Sequence, residues 1–460
     1  MSITQCADCL RHILIVIVIF FLGSYSTLAS AQQAKNRLIV LTSFPDALFE
    51  PFRAAYLEQR PDIELHILNK KTSAAISYIQ GPSRNQVDVL WASAPDAFEV
   101  LKGSGHLERL KPPSANGAIK IAGYPIDDPD GYYVGFAISG YGIMWNTDFL
   151  AEKNLPAPVS WSDLTNPIYK QQIGISAPSR SGTTHLIVES ILQAQGWASG
   201  WSTLSEIGGN LATVTARSYG VPQGVVAGRF GIGMVIDFFG LAAQATGAQV
   251  TFTYPPGTAF LPANIAIVKG AENPEAAQDF IRFVTSRAGQ ELLFLPEISR
   301  LPIDPNIYHL APEGYPNPFL EIAGDGGLLF NSSLSRSRYH LINALFDVTI
   351  TNQLGLLRNG WDAVHRAEVL LQEGLTPPLA EKLARARRLM TRIPVTKAQA
   401  NDAQFTASFA RRRPGFPVST EQTALEKSWA ADARARYSEA EKLAGEVTAV
   451  IKLQSGKVVQ

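Results

Sequence analysis

From residue 37 to residue 103 the chain alternates between short apolar runs and longer segments with helical periodicity. The apolar runs lie at residues 37–43, 63–68 and 87–91, and proline, asparagine or hydroxyl residues follow them. Between them, apolar residues recur at the spacing of one helix face, as over residues 48–56. Strands that alternate with helices pair in parallel, because each connection crosses back over the sheet. The pattern therefore predicts an α/β fold with a largely parallel sheet.

Hydroxyl residues stand where the carboxyl ends of these strands are predicted. Thr42 and Ser43 end the first strand, and Ser93 follows the third. Ligands of open α/β sheets bind beyond the carboxyl ends of the strands, so these residues are candidate ligand-binding residues. Ser139, in a glycine-broken β-rich segment over 131–146, is a further candidate. The alternative is that such hydroxyls only cap the helix that follows, which is their commonest role.

Residues 176–195 have the pattern of a strand end, a hydroxyl-rich loop and the start of a helix. The first N–H groups of a helix have no partner within the helix and its dipole is positive there, so an anion is stabilised. An arginine fork in the loop suits phosphate or carboxylate. The alternative is that the hydroxyls here only cap the helix. The candidate residues of this loop are Arg180, Ser181, Gly182, Thr183 and Thr184.

Two later strands end in further polar side chains. One leads into Arg217, Ser218 and Tyr219, and the other ends at Asp237. We expect Arg217 to neutralise part of the charge of an anion. Asp237 would then accept a hydrogen bond from a hydroxyl or amine of the same ligand, since a second anion beside phosphate would be repelled. The alternative for Asp237 is that it caps the next helix.

The balance of charge and the absence of reactive motifs exclude several functions. The chain has 460 residues with 40 basic and 40 acidic side chains, which leaves no electrostatic footprint for nucleic acid. The histidines are scattered without metal-ligand spacing, so we expect no metal, no cofactor and no catalytic residue. An exported hydrolase using Ser181, His185 and Asp237 is the alternative, but a Gly-x-Ser-x-Gly elbow is missing.

The first 31 residues have the composition of an export signal. Basic residues precede an apolar run over 13–22, and the small residues of 29–31 form a cleavage site. We therefore expect a signal peptide at 1–31, cleaved near Ala31, and a soluble protein in the periplasm. The alternative is an uncleaved anchor. Both cysteines of the chain lie in this segment, so the mature protein would contain neither a disulfide nor a thiolate.

Several short motifs, none specific alone, follow one another in a particular order. They are the glycine-broken segment 135–146, then 161–164, the loop 178–184, the strand 228–237 and the helix 273–281. Together with the export signal, this order resembles the type 2 periplasmic solute-binding proteins of ABC transporters, in the family 1 extracellular group. The resemblance covers roughly residues 37–308.

The resemblance implies an α/β fold of two lobes joined by crossing hinge strands, which close on a solute held in the cleft. We expect lobe 1 at 37–135 and 262–310, lobe 2 at 136–261, and a mainly α-helical C-terminal extension at 311–460. The implied hinges are at Gly135–Gly140 and Pro262–Asn264. The implied partners are a small solute and an ABC permease in the inner membrane. A ligand-sensing partner of a membrane sensor kinase would have the same cleft, so that alternative stays open.

Within this group the chain is similar to binders of ferric ion and to binders of phosphorylated or phosphonate compounds. Ferric binders of the group resemble one another in a pair of adjacent tyrosines, and this chain has Phe238 and Phe239 at the matching place. Phenylalanine has no phenolate oxygen to offer iron. A phosphorylated or phosphonate solute is therefore the favoured ligand, with ferric ion as the alternative.

The composition changes after residue 311. Long Ala-, Arg- and Glu-rich stretches over 380–390 and 426–450 predict surface helices, and 411–413 is a short basic run. A two-lobe binder does not need this extension. It would cap lobe 1, form a dimer or contact a sensor, and the basic run would be a solvated loop or a docking point for a membrane partner.

Overall fold

The computed structural model describes residues 36–82, 87–111, 119–121, 123–320, 327–371, 376–409 and 418–454. The predicted signal peptide and the basic run at 411–413 lie outside the described residues. In the described ranges, no helix combines the length and the apolar character that a membrane crossing requires.

The strands form one large mixed sheet and one small hairpin. Their order in the large sheet is β2-β1-β3-β11-β6-β9-β7-β8, with β10 and β12 also paired to β6, while β4 pairs only with β5. The strands are β1 (Arg37–Thr42), β2 (Glu64–Asn69), β3 (Val89–Ala92), β4 (Lys120–Ile121), β5 (Tyr124–Pro125), β6 (Val134–Asn146), β7 (Ile173–Ser176), β8 (Leu211–Thr215), β9 (Ile232–Ile236), β10 (Val250–Thr253), β11 (Phe260–Ile267) and β12 (Leu301–Pro302).

The large sheet has two parallel halves joined by antiparallel strands. Strands β1, β2 and β3 are parallel to one another, and so are β7, β8 and β9. Between these halves lie β6 and β11, which pair with each other from Phe260–Gly140 to Ile265–Val134. We call the part around β1–β3 lobe 1 and the part around β7–β9 lobe 2. The predicted α/β fold class is confirmed. The predicted lobe boundaries fall within or next to β6 and β11 and stay predictions.

Helices cover both halves of the sheet and make up most of the C-terminal region. They are α1 (Asp46–Gln59), α2 (Thr72–Ile79), α3 (Pro95–Gly103), α4 (Thr147–Glu152), α5 (Gly182–Gln195), α6 (Trp197–Asn210), α7 (Gly220–Val226), α8 (Asp237–Ala245), α9 (Pro274–Thr285), α10 (Arg287–Leu292), α11 (Ser332–Thr349), α12 (Leu354–Leu371), α13 (Pro377–Thr391), α14 (Lys397–Asn401), α15 (Ala403–Ala407) and α16 (Thr420–Gln454).

The C-terminal extension packs on lobe 2 through α6. The indole of Trp361 in α12 donates a hydrogen bond to Ser205 of α6 at 3.1 Å, and Trp197 of α6 donates to the carbonyl of Val395 at 2.8 Å. One apolar cluster runs from the lobe 2 sheet through α6 into α12, α13 and α16. The prediction that 426–450 forms a surface helix is therefore only half right, since Trp429 and one face of α16 are buried.

Strand β6 leaves no room for a side chain at Gly142, where it pairs with β10. A Cβ atom built on Gly142 would lie 2.1 Å from the carbonyl oxygen of Thr253 and 2.5 Å from the ring of Phe252. Since the first of these contacts is with backbone, a larger residue forces the two strands apart. The glycines of this strand are therefore required by close packing.

Replacing Gly142 by alanine should lower the free energy of unfolding by about 2 kcal/mol, the usual cost of overpacking. Gly445 in α16 gives a matched control, because a Cβ there meets nothing within 4 Å. Gly445→Ala should be neutral or stabilising by up to about 1 kcal/mol, since alanine favours a helix over glycine. Urea denaturation of both variants measures the difference, and equal stability would contradict the close approach of β6 and β10.

Candidate functional site

A cavity of about 680 Å³ lies between the two lobes. Its walls come from the turns that follow all six parallel strands. Lobe 1 contributes residues after β1, β2 and β3, such as Ser43, Asn69 and Ser93. Lobe 2 contributes residues after β7, β8 and β9, such as Arg180 and Arg217. The cavity therefore occupies the place where open α/β sheets bind ligands.

Nine of the thirteen residues predicted for the site lie in the wall of this cavity. They are Ser43, Ser93, Arg180, Ser181, Gly182, Thr183, Arg217, Ser218 and Tyr219. The loop before α5 and the turn after β8 thus face the turns of lobe 1 across the same space. This placement brings the predicted residues together, and their role in binding stays a prediction.

The N-terminus of α5 opens into the cavity. Ser181 is its N-cap residue, and the hydroxyl oxygen accepts a hydrogen bond from the amide of Thr184 at 3.1 Å. The amides of Gly182 and Thr183 meet no acceptor among the residues that the structure describes. The cap uses one N–H group of α5 and leaves two without an acceptor among the described residues, so capping by Ser181 does not exclude the predicted anion site.

Two arginines give the lobe 2 wall a positive charge. Within the described ranges, neither Arg180 nor Arg217 forms an ion pair with a carboxylate. The guanidinium of Arg217 lies 5.0 Å from the ring centroid of Tyr219, which holds it at the cavity wall. Lys71 of lobe 1 also lines the cavity, as do the carboxylates of Asp46 and Glu297, both on exposed residues. The lobe 2 wall is thus purely cationic and suits an anion.

The lobe 1 wall offers a hydroxyl without a partner. The oxygen of Ser43 is buried and has no hydrogen-bond partner among the described residues. A buried hydroxyl is normally satisfied, so in a cavity wall this oxygen is placed to pair with water or with a ligand. Ser43 stands opposite the loop before α5, and a ligand of the cavity would supply that partner.

Four predicted residues do not line the cavity, because their polar groups are used inside the protein. Thr42 accepts a hydrogen bond from the amide of Phe44 at 3.1 Å. Ser139 accepts one from Arg300 at 3.2 Å. Thr184 is buried within the first turn of α5, and Asp237 is only 1% exposed. The structure therefore does not bring these four side chains to the predicted site.

Asp237 fixes lobe 2 to the crossing strand. Its carboxylate accepts hydrogen bonds from the amide of Gly140 at 2.6 Å and from the hydroxyl of Tyr254 at 3.2 Å. Burial raises the pKa of Asp237 to about 7, although the Gly140 amide and the charge of Arg300 oppose the rise. Asp237 also accepts from the amide of Phe238. Its carboxylate is therefore used inside the protein, although Asp237 is the first residue of α8 and not the helix cap of the alternative prediction.

Residues outside the predicted ligand-binding set complete the cavity. Phe238 and Phe239 stand 4.3 Å apart by ring centroids and, with Phe44, give the cavity an aromatic side. Arg300 is fully buried behind them, with its guanidinium 3.8 Å from the ring centroid of Phe238 and 4.5 Å from that of Phe44. No spacing in the sequence connects position 300 to positions 44 and 238, so only the fold reveals this contact.

The described residues hold no group of three or more histidine, cysteine, aspartate or glutamate side chains that could bind a metal ion. His185, which the hydrolase alternative requires, is fully buried and faces α11 instead of the cavity. Since Asp237 is buried elsewhere, Ser181, His185 and Asp237 do not form a catalytic triad.

Comparison with known proteins shows which family has this architecture. Residues 85–303 match the family described as bacterial extracellular solute-binding protein. The chain is also 31% identical, over 389 residues, to the phosphoglycerate transport regulatory protein of Salmonella typhimurium. That match covers 83% of this chain and 91% of the relative.

The chain belongs to the bacterial extracellular solute-binding proteins. This family consists of binding proteins of the ABC-transporter type and not of enzymes, which confirms the prediction of a binder.

Solved structures have the same fold as this solute-binding protein. One is the periplasmic binding protein AfuA from Actinobacillus pleuropneumoniae with fructose-6-phosphate bound, with a TM-score of 0.59, 20% identity, and coverage of 68% of this chain and 98% of that chain. Another is iron-bound HitA from Pseudomonas aeruginosa, with a TM-score of 0.56, 17% identity, and coverage of 69% and 99%. At these identities the likeness shows the fold alone.

The lobes of this solute-binding protein touch at Gly182, and this contact can be tested. A Cβ atom on Gly182 would lie 2.9 Å from the Cβ of Ala94 in lobe 1. Gly182→Ala should therefore destabilise the protein by about 1–3 kcal/mol. Adding Ala94→Gly should recover more than half of that loss, whereas Ala94→Gly alone should have a small effect. Urea denaturation of the four proteins gives the coupling energy, and additive effects would show that the lobes do not meet here.

Proposed function

We propose that this solute-binding protein captures a small phosphorylated or phosphonate anion in the interlobe cavity and delivers it to an ABC permease. The observation that carries the proposal is the N-terminus of α5. The two amides of Gly182 and Thr183, without acceptors among the described residues, stand beside Arg180 and Arg217 in one wall of the cavity. Backbone N–H groups at a helix start and arginine forks are the groups that recognise phosphate oxygens.

The size of the cavity supports an organic ligand over a single ion. Its volume of about 680 Å³ lies within the range typical of small-molecule sites, roughly 300–1,000 Å³. The aromatic side formed by Phe44, Phe238 and Phe239 gives an apolar surface for a carbon skeleton. Phe238 and Phe239 also stand where the family resemblance would place iron-binding tyrosines, and their rings offer no oxygen. Ferric ion is therefore the weaker candidate.

The likeness to a phosphoglycerate transport regulatory protein favours a phosphorylated carboxylic acid within this ligand class. Such a solute has two anionic groups. The cavity has cations on both walls, with Arg180 and Arg217 in lobe 2 and Lys71 in lobe 1. The proposed arrangement places the phosphate at the N-terminus of α5 and the second anionic group within reach of the opposite wall, where Ser43 has a hydroxyl to donate.

Binding would close the lobes by a hinge motion about β6 and β11. The register of this pair shifts between Ala263 and Asn264, beside the implied hinge at 262–264. A solute that contacts both walls is bound more tightly by the closed form, and this difference in affinity drives closure. Export to the periplasm, with cleavage near Ala31, is part of the same proposal.

A second candidate function is to report the bound solute to a membrane sensor. It is favoured by the name of the relative, which is a regulatory protein of transport, and by the extension that packs on lobe 2. The same cavity and the same closure serve both functions. Deleting the gene and following both uptake and the transcriptional response to the solute separates them.

A thermal-shift screen of the mature protein names the ligand. We expect phosphoglycerates, sugar phosphates or phosphonates to raise the melting temperature, since a ligand that binds only the folded state stabilises it. At a ligand concentration 100 times the dissociation constant, the gain is about 2.7 kcal/mol. Inorganic phosphate and sulfate test the anion site alone. A shift with ferric citrate and with none of the organophosphates would refute the proposal.

The double variant Ser181→Ala with Thr183→Ala should bind the organophosphate found in that screen at least tenfold more weakly. Each lost hydrogen bond to a charged group is worth about 1.5–3 kcal/mol, so the estimate is conservative. Ser286→Ala is the matched control, because Ser286 caps α10 in the same way and does not line the cavity. Isothermal titration calorimetry should show unchanged affinity for the control. Unchanged affinity in the double variant would show that the hydroxyls of this loop do not contact the solute and would leave only its backbone amides and the arginines as anion-binding groups.

A further inference from the structure

Behind the cavity, four polar side chains from three parts of the fold meet. They are Asp96 of α3 in lobe 1, His185 of α5 in lobe 2, and Ser335 and Asn343 of α11 in the extension, and we call them the interlobe cluster. Asn343 Oδ1 lies 3.0 Å from His185 Nδ1, and His185 Nε2 lies 3.2 Å from Ser335 Oγ. Ser335 Oγ lies 2.8 Å from Asp96 Oδ2, which is 3.5 Å from His185 Nε2.

The hydrogen bonds of this cluster determine how many protons it holds. With the Asn343 amide placed to present its oxygen, His185 donates from Nδ1, and its Nε2 either accepts, in a neutral ring, or donates, in a charged one. Ser335 has one hydroxyl proton and cannot donate it to both His185 Nε2 and Asp96. If Ser335 donates to His185, Asp96 must be protonated and donate to Ser335. If Ser335 donates to Asp96, His185 must be doubly protonated. Either way, Asp96 and His185 together hold one proton.

The surroundings place that proton on Asp96. Asp96 is 2% exposed, forms no ion pair with lysine or arginine among the described residues, and has one carboxylate oxygen without a donor there. An ionised carboxylate in such a place is costly, and a neutral one is tolerated. Burial raises the pKa of Asp96 to about 7, although the hydrogen bond from Ser335 opposes the rise. Burial also lowers the pKa of His185 to about 3, against the contact with Asn343.

The charged groups around the cluster are mostly paired with each other. Arg338 of α11 forms a buried ion pair with Glu189 of α5 at 2.6 Å, and Arg336 of α11 pairs with Glu99 of α3 at 3.0 Å. The negative charges of Glu99 and Glu189 raise the pKa of Asp96, and the positive charge of Arg338 lowers that of His185. The other titratable groups that face the cluster are His340 and Tyr339 of α11, Tyr124 of β5 and Tyr141 of β6, and the ring centroid of Tyr339 lies 4.1 Å from that of His185.

We infer that closing the lobes moves a proton from His185 to Asp96, which makes these two the positioning residues of the anion-binding helix. The inference rests on the proposed solute binding with lobe closure. In the step, the N–H bond at His185 Nε2 breaks and an O–H bond forms on the Asp96 carboxylate, directly or through the Ser335 hydroxyl. The net charge of the pair does not change. His185 lies in the first turn of α5, so the cluster fixes the helix end that faces the solute.

The transfer of a proton within the pair determines how solute affinity depends on pH. Parting the lobes withdraws Asp96 into water and uncovers the Nε2 side of His185, which stays against α11 beside Asn343. Both pKa values then move toward their ordinary values, so between about pH 4 and pH 6.5 the proton is on histidine. In the closed form the pair still holds one proton, now on Asp96. Because closure neither takes up nor releases a proton over that range, solute affinity should be level there apart from the titration of the solute itself.

Replacing either residue of the pair should make solute affinity depend on pH, and the two replacements should change it in opposite directions. In Asp96→Asn the amide donates to Ser335 without an added proton, but closure must then remove the proton of His185. Relative to wild type, affinity for 3-phosphoglycerate should fall about twentyfold from pH 7 to pH 5. In His185→Gln closure adds a proton to Asp96, so relative affinity should rise more than tenfold over the same range. Dividing by the wild-type value removes the titration of the phosphate.

Calorimetric titrations at pH 5, 6 and 7 measure these ratios. His66→Gln is the matched control, because His66 is an exposed histidine whose ring pairs with Glu64, and the variant should follow the wild type at every pH. If the two residues have only a structural role, each variant should weaken binding by a factor that is the same at all three pH values. Affinity curves of the variants that run parallel to the wild-type curve would therefore overturn the inference. If the wild-type protein binds no organophosphate, the proposed function is wrong. That result is distinguishable from a failure of the proton-transfer inference, which requires wild-type binding with parallel pH profiles.

A measurement on the wild type covers the case in which a variant does not fold. With histidine labelled by nitrogen-15, the ring of His185 in the solute-bound protein at pH 5.5 should show a neutral imidazole with the proton on Nδ1. The free protein should show an imidazolium at the same pH. An imidazolium in the bound form would place the proton on His185 and overturn the inference.

Discussion

The pairing of β6 with β11 is the contact on which the rest of this structure depends. All residues of β6 from Val134 to Trp145 are buried, and its two ends belong to different halves of the sheet. It lies between β11 and β12 at one end and between β9 and β10 at the other. Because each half is parallel and both are attached to this strand, the carboxyl ends of six strands reach one cavity. The site is a consequence of that topology before any side chain is considered.

The polar groups around the cavity divide into those that hold the fold and those that face a solute. Asp237 and Arg300 are both buried, and burial moves the pKa of each toward its neutral form, to about 7 and about 9. Charges in such positions are costly unless they are paired, and the bond from Gly140 and the ring faces of Phe238 and Phe44 compensate for part of that cost. The arginines of the cavity wall keep contact with water instead, and are available to a ligand.

The sequence was enough to predict the fold class and most of the residues that meet in the cavity. Alternating strands and helices determine where the strand ends fall, so Ser43, Ser93 and Arg217 were predictable as a group. Two physical causes account for the site residues that were predicted wrongly. Neighbouring residues at a strand end point to opposite sides, so of Thr42 and Ser43 only one can face the cavity, and the sequence does not say which. A hydroxyl that caps a helix and one that binds a ligand also look the same in sequence. Ser181 caps α5 and also lies in the cavity wall, so one residue can be placed for both roles.

The C-terminal extension differs from an appended domain because the binding lobes contact it through buried polar groups. Glu189 and Arg338 form an ion pair in which both side chains are at least nine-tenths buried, and burial of such a pair is tolerated only when its geometry is kept. α11 is thus fixed to lobe 2, while Ser335 and Arg336 of the same helix reach Asp96 and Glu99 in lobe 1. Any movement between the lobes must therefore change contacts of α11. Nothing in the composition of residues 311–460 indicates this, since the contacts depend on single side chains more than 200 positions away from their partners Asp96 and Glu99. The contacts of α11 with both lobes therefore couple the extension to the relative position of the lobes.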